Sequence, residues 1–365
     1  MIAPGVVREG QEARGNISGM TRKLRAAMVA CGGVSNLTLR AARRSPDFEV
    51  AAIQDPDPAA LEQVGQRYGI ERRHRTLAEV LTDDIDFVVI NSPNHLHLQH
   101  VRGAAAAGKP CLVQKPLAPS LADAAAIVRA ASEHRVPLGV TMFELSKPLH
   151  HEVKSMIEAG WLGHPGLVQA VSAHTNFLTN PPAPDDWRRD PDRVGGGAFI
   201  QLALHHVNLA GWLLGQEVAR VSATGLSGRT VFEDETTTAT LVFDGDTVGT
   251  FAASYAADLY GFTLVGTRGR IHLHPDHVVV RGVDPFAGEL IDYRDAGQET
   301  AIPVASIAET IHRLEPAIEV HGRFARWIAH GEPYPCPGER GLEDMKVVDA
   351  VYRARRTGET LTLTR

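Results

Sequence analysis

Cysteine is scarce in this chain of 365 residues: Cys31, Cys111 and Cys336 are all there is. An odd, widely spaced set excludes a disulfide framework and predicts a reducing compartment, hence a cytoplasmic protein. No run approaches the roughly 18 apolar residues that a bilayer span requires, which predicts a soluble protein with no membrane partner. Neither sign of charge dominates. The 37 Lys and Arg against 43 Asp and Glu leave a net charge of -6, which excludes a broad electrostatic grip on nucleic acid or anionic membrane. With 44% hydrophobic and 22% charged residues, the chain is not that of a disordered protein either. Its length suggests two domains. What it has in quantity is turn residues, 34 Gly and 22 Pro, as an α/β enzyme would.

Residues 1–23 lack the apolar core of a secretory signal and read as a flexible arm. Met20, followed by TRKLRAAMVACGG, has the look of a chain start. From Leu24 a regular grammar begins. The apolar runs LRAAMVACGG, FEVAAIQD, FVVINSP, PCLVQKP and PLGVTMF alternate with helix-period segments. Five such strands, apolar throughout, predict a parallel sheet covered on both faces: a doubly wound α/β nucleotide-binding domain over 24–143. Beyond it, strand composition recurs at 166–176, 217–228, 235–244, 247–256, 260–267, 270–274 and 277–282. One long helix, GAFIQLALHHVNLAGWLLG, interrupts that series. This predicts an α+β domain over 144–335 with a large, mostly antiparallel open sheet. A last helix within 336–365 is expected to pack back near the first domain.

Chemistry enters at the strand ends. The first strand runs into Ala30-Cys31-Gly32-Gly33-Val34-Ser35, a glycine turn that lets backbone approach a pyrophosphate at a helix N-terminus. Asp55 closes the second strand and would accept the ribose hydroxyls of adenosine while repelling a 2′-phosphate. No arginine follows it closely, so NAD is expected ahead of NADP. After the third and fourth strands come Asn91-Ser92-Pro93-Asn94-His95-Leu96-His97 and Gln114-Lys115-Pro116. Both groups sit at the carboxyl ends of parallel strands, where an open sheet takes its ligand. Two histidine clusters, His95/His97/His100 and His272/His274/His277, invite a metal. No cysteine or paired acid completes either, so none is expected.

With the later Gly195-Gly196-Gly197…His205 helix, this order of motifs resembles the glucose–fructose oxidoreductase/inositol dehydrogenase/MocA (Gfo/Idh/MocA) family over about 24–364. The resemblance implies a Rossmann domain followed by a substrate domain. It implies cofactor contacts from Gly32, Gly33, Val34, Asp55, Ser92, Pro93, Asn94, His97, Gln114 and Lys115. Lys115 and His205 would be catalytic, with Gln201, Asn208, Trp187 and Arg188 at the substrate; Glu144, just past a strand end facing the cleft, joins them. Gln114, Gln201 and Asn208 stand where the family has carboxylates, and Thr141 and Phe143 where it commonly has Asn and Arg. The implied activity is NAD(P)-dependent hydride exchange with a hydroxyl carbon of a sugar, polyol or related cyclic compound. Two alternatives are a glycosidase or lyase that oxidises its substrate only transiently, and a cofactor-binding regulator without catalysis. The resemblance also implies homodimers or homotetramers built through the second sheet.

Overall fold

The computed structural model describes residues 22–273, 278–282, 300–302 and 314–363. The arm before residue 22, and with it most of 1–23, lies outside the described residues, as do His274 and His277. The first sheet contains β1 (Leu24–Val29), β2 (Phe48–Gln54), β3 (Arg72–His74), β4 (Phe87–Ile90), β5 (Cys111–Gln114) and β6 (Leu138–Thr141), all parallel, in the order β3-β2-β1-β4-β5-β6. Strands β4, β5 and β6 are buried along their whole length, which is why they read as unbroken apolar runs. The helices follow from their caps. Asp57 caps Pro58–Tyr68 by accepting from the Ala59 amide, and Gly69, at φ +68°, ends it; Ser120 caps Leu121–Glu133 through the Asp123 amide.

The sheet has six strands rather than the expected five. The sixth, β3, is Arg-Arg-His at the sheet edge, and a three-residue polar edge strand carries no apolar signal to read.

The second sheet is nine-stranded. It comprises β7 (Pro165–Ala173), β8 (Val218–Leu226), β9 (Thr236–Phe243), β10 (Val248–Ser254), β11 (Leu259–Gly266), β12 (Gly269–Leu273), β13 (Val278–Gly282), β14 (Thr300–Ile302) and β15 (Leu361–Thr362), ordered β14-β13-β12-β11-β7-β10-β9-β8-β15. Among the described residues of this sheet, only β7 and β10 pair in parallel. Ala239, Leu241, Phe243, Phe251, Phe262 and Leu264 face inward and are fully buried. The alternating apolar residues of TLVFDG and GTFAASYAA therefore line the core, not the open face. That open face carries Thr240, Thr250 and Gln169 in one cross-strand row and Val242, Val248 and Leu167 in the next. No helix among the described residues is long and apolar enough to cross a membrane.

Two segments join the halves. The helix Gly338–Thr357 packs on β8 and on Leu121–Glu133. The helix Leu314–His330 lies along Ser35–Arg44, with Phe324 edge-on to Phe87, His321 stacked on Phe48, and Arg326 paired with Asp47 at 2.5 Å.

Candidate active site

Strand order reverses between β1 and β4, and a cleft of about 1690 Å3 opens beyond their carboxyl ends, where open parallel sheets take ligands. At one end is the glycine turn. Ala30 sits at φ +71°, a left-handed conformation that only glycine adopts without strain. A Cβ on Gly32 or Gly33 would meet nothing within 4 Å, so the space above them is left for something other than protein. Val34 is exposed, and no side chain caps the helix Ser35–Arg44 that follows. The Ser35 and Leu37 amides turn back to the Gly32 and Val34 carbonyls at 3.1 and 2.9 Å, and Gly32, Gly33, Val34 and Asn36 bring the positive end of the helix to the cleft wall, where it favours an anion. Asp55 accepts from the Cys31 amide at 2.7 Å and the Asp57 amide at 2.9 Å, which fixes its carboxylate at the cleft wall. An open glycine cradle, an uncapped helix start and a fixed carboxylate are the donor set a dinucleotide needs.

Arginines are nearer to Asp55 than the sequence suggested. The overlooked strand β3 brings Arg75 beside it, donating to the Pro56 carbonyl at 3.3 Å, and Arg40 lines the same end.

The other end is built by β5, by the turn after β6 and by the helix Leu204–Leu214. That helix does not start as an α-helix: Phe199–Ala203 forms a π-turn, a departure common at functional sites. Lys115 Nζ donates to the Gln201 carbonyl at 2.9 Å and to its side-chain oxygen at 3.3 Å. The Gln114 side-chain oxygen is occupied by Thr141 Oγ1 and the Lys115 amide, each at 2.9 Å. His205 has a buried Nδ1 without a hydrogen-bond partner among the described residues. Burial first, then the Lys115 charge, push its pKa down to about 3, against the pull of Glu144. It is therefore a neutral imidazole at pH 7. Burial opposes the charge on Glu144, but Lys147, His150 and His205 outweigh it and hold that carboxyl at about 2; Lys147 Nζ is 2.7 Å away.

Gly32, Gly33, Val34, Asp55, Ser92, Pro93, Asn94, Gln114, Lys115, Glu144, Trp187, Arg188, Gln201 and His205 all line this one cleft. Two expected residues do not. Asn208 is buried behind it, donating to Asp344 at 2.7 Å and facing Cys336 Sγ. Three residues beyond His205 but four beyond Leu204, it points into the contact with Gly338–Thr357. His97 is fully buried too, bonded to the Ser92 carbonyl at 2.9 Å and the Leu117 carbonyl at 3.1 Å. It pins the turn after β4 to the segment after Lys115 and reaches no ligand space. His100 lines the cleft in its place, bonded to Ser92 Oγ at 2.9 Å. Lys147, His150, His206 and Tyr260 also line it and were missed. Lys147 and His150 follow a parallel strand end, three and six residues after Glu144, a position that could have flagged them.

Residues 24–142 match the oxidoreductase family's NAD-binding Rossmann fold, and residues 150–272 match the GFO/IDH/MocA C-terminal domain. The chain belongs to the Gfo/Idh/MocA family. It is an oxidoreductase with an NAD-binding Rossmann domain. Among its Gfo/Idh/MocA relatives is D-apiose dehydrogenase of Paraburkholderia graminis, 29% identical and covering 94% of this chain and 90% of its own. The D-xylose 1-dehydrogenase [NADP(+)] of Haloarcula marismortui is 28% identical over 77% of this chain and 76% of its own. A levoglucosan dehydrogenase solved with NADH and levoglucosan superposes with a TM-score of 0.85 at 21% identity, covering 94% of this chain and all of the other. That likeness is one of fold.

Proposed function

We propose that this protein is an NAD-dependent dehydrogenase acting on a hydroxyl carbon of a sugar or polyol, with Lys115 and His205 as its working pair. The observation that carries this reading is the neutral imidazole of His205 and the ammonium of Lys115 in one cleft, whose far end fits a dinucleotide. Gly32, Gly33 and Val34 would take the pyrophosphate and Asp55 the adenosine ribose; Ser92, Pro93, Asn94 and Gln114 would flank the nicotinamide half. When bound, the nicotinamide supplies the hydride chemistry. Lys115 donates to the reacting oxygen and stabilises the negative charge that develops there. His205 accepts the hydroxyl proton, and the imidazolium so formed is stabilised by the Glu144 charge. Gln201, Trp187, Arg188 and Glu144 supply the mixed donors and acceptors that a polyhydroxylated substrate needs. The sugar substrates in the names of the apiose and xylose dehydrogenases support that class. Three buried thiols suit a reducing, cytoplasmic setting. A panel of aldoses and polyols scored for free NADH tests the activity; glycoside cleavage without net NADH would overturn it.

NAD should bind more tightly than NADP, because the Asp55 carboxylate meets a 2′-phosphate with like charge. Calorimetric titration of each cofactor decides the matter. Tighter NADP binding would mean that Arg75 has captured the phosphate and the expectation is wrong.

The pH dependence follows from the lowered His205 pKa. A base must be unprotonated to work, so the acid limb for oxidation should lie well below the ordinary histidine value of about 6.5. Gln201→Glu places a carboxylate where the amide now meets Lys115 Nζ at 3.3 Å. Cancelling part of that ammonium's field should raise the His205 pKa and move the acid limb upward. An unmoved limb would remove His205 from the role of titrating base.

Association through the second sheet is part of the same proposal. Across β7, β9 and β10 the rows Thr240, Thr250, Gln169 and Val242, Val248, Leu167 are uncharged, with Leu167 and Val248 more than a third exposed, and Arg220 and Arg270 flank the second row. Face-to-face pairing of two such sheets would cover these rows. Sedimentation at micromolar concentration should find a dimer or tetramer, and a 39.4 kDa monomer would refute the pairing.

A further inference from the structure

A second cavity, of about 390 Å3, lies outside the cleft. It is bounded by the Trp187–Arg189 turn, Gly195 and Gly196, Gly225 in β8 and the last turn of the helix Gly338–Thr357. Two separate elements bring four guanidinium groups to its wall: Arg188 and Arg189 from the turn, Arg355 and Arg356 from the helix. Two of these are held in place by backbone. A Cβ on Gly225 would overlap Arg355 Nε, so Arg355 lies flat across β8, and its Nη2 donates to the Glu233 carbonyl at 2.8 Å. Arg189 Nε donates to the Pro182 carbonyl at 2.9 Å. A carbonyl orients a guanidinium without cancelling its charge.

The acids nearby cancel only part of it. Arg188 is paired with Asp186 at 3.1 Å. The deep carboxylate, Asp234, is turned to the Phe199 amide, the Tyr352 hydroxyl and Thr237 Oγ1. Among the described residues, Arg189, Arg355 and Arg356 have no carboxylate partner, and Glu233 stands exposed at the rim. The partial negative charge at a helix C-terminus accounts for arginines in the last turn. It does not account for two more arriving from another segment to face them. Like charges gathered into one concavity favour an anion that joins them.

We propose that this cavity is a binding site for a small phosphate-bearing anion, separate from the cofactor cleft. Guanidinium forks match phosphate oxygens in pairs, and the volume is that of a small-ligand site. Arg188 also lines the cleft, its guanidinium 4.6 Å over the Trp187 ring. A bound anion would therefore share a residue with the substrate wall. The inference rests on this geometry and does not depend on the proposed reaction.

Titration calorimetry of the full chain with inorganic phosphate and, separately, glycerol 3-phosphate tests it, each with and without excess NADH. One saturable site that persists under NADH is expected. Arg355→Gln/Arg356→Gln should weaken it by roughly tenfold or more, with melting temperature and NADH affinity unchanged. If the double variant melts early, the exposed Arg356→Gln alone serves. Binding of both ligands points to the phosphate group, and binding of the ester alone to a phosphorylated metabolite; either supports the site. Loss of the signal when NADH is added would place the anion at the glycine turn and overturn the proposal, as would undiminished binding by the variants. Failure of NADH itself to bind would tell against the cofactor reading while leaving the phosphate result to stand.

Discussion

Lys115→Ala is expected to lower kcat by about a hundredfold or more while leaving NAD affinity largely intact. The argument is one of place. Lys115 follows β5 at the cleft, and its Nζ is positioned by the Gln201 carbonyl at 2.9 Å and side-chain oxygen at 3.3 Å. Half-buried and lining the same cleft as His205, its charge stands where a developing oxyanion would be stabilised. On the proposed reading, cofactor contacts would come mainly from the glycine turn and Asp55, at the other end of the cleft, which the substitution does not touch. Steady-state kinetics and a cofactor titration separate the two effects. A variant that kept its kcat would dismiss the lysine from catalysis, and the dehydrogenase reading would lose half of its machinery. A variant that lost NAD instead would recast Lys115 as a cofactor ligand.

Gly196→Ala should cost about 2–5 kcal/mol of stability, from backbone strain and overpacking together. Gly196 has φ +142°, and a Cβ there would overlap the Tyr352 hydroxyl. That hydroxyl is itself engaged, donating to Asp234 at 2.8 Å and accepting from the Ile200 amide at 3.2 Å. Asp234 in turn takes the Phe199 amide at 2.7 Å. One methyl group would thus unseat the bonds that start the helix presenting Gln201 and His205. A melting temperature lower by on the order of 10 °C is expected. Adding Tyr352→Phe to the variant should return part of the loss, because the two sites share the same space. An unshifted transition in Gly196→Ala would show that Tyr352 moves aside freely.

Much of this was legible in the order of residues. Apolar strands alternating with helices announced the parallel sheet, and the seven expected strand segments of the second domain correspond to β7 through β13 within a few residues. The illegible parts have separate physical reasons. Strand β3 is too short and polar to carry a pattern, and it is what brings Arg75 to Asp55. Asn208 and His97 share local spacing with residues that do line the cleft, and only the packing of Gly338–Thr357 and of the segment after Lys115 turns them inward. The helix Leu314–His330 was readable and overlooked. Ala317, Val320, Phe324 and Ala325 are among its buried apolar residues, at helical intervals of three, four and one.

That helix also dictates an order of assembly. Phe324 and His321 fill the space beside Phe87 and Phe48, and a Cβ on Gly139 would come within 2.7 Å of the Tyr334 ring. The cofactor-binding half thus borrows part of its own interior from the far end of the chain. During synthesis, Phe48 and Phe87 lack these partners until the residues around Phe324 have emerged. Full firmness of the half that holds the nucleotide would then depend on the docking of a helix made about 180 residues after its last strand.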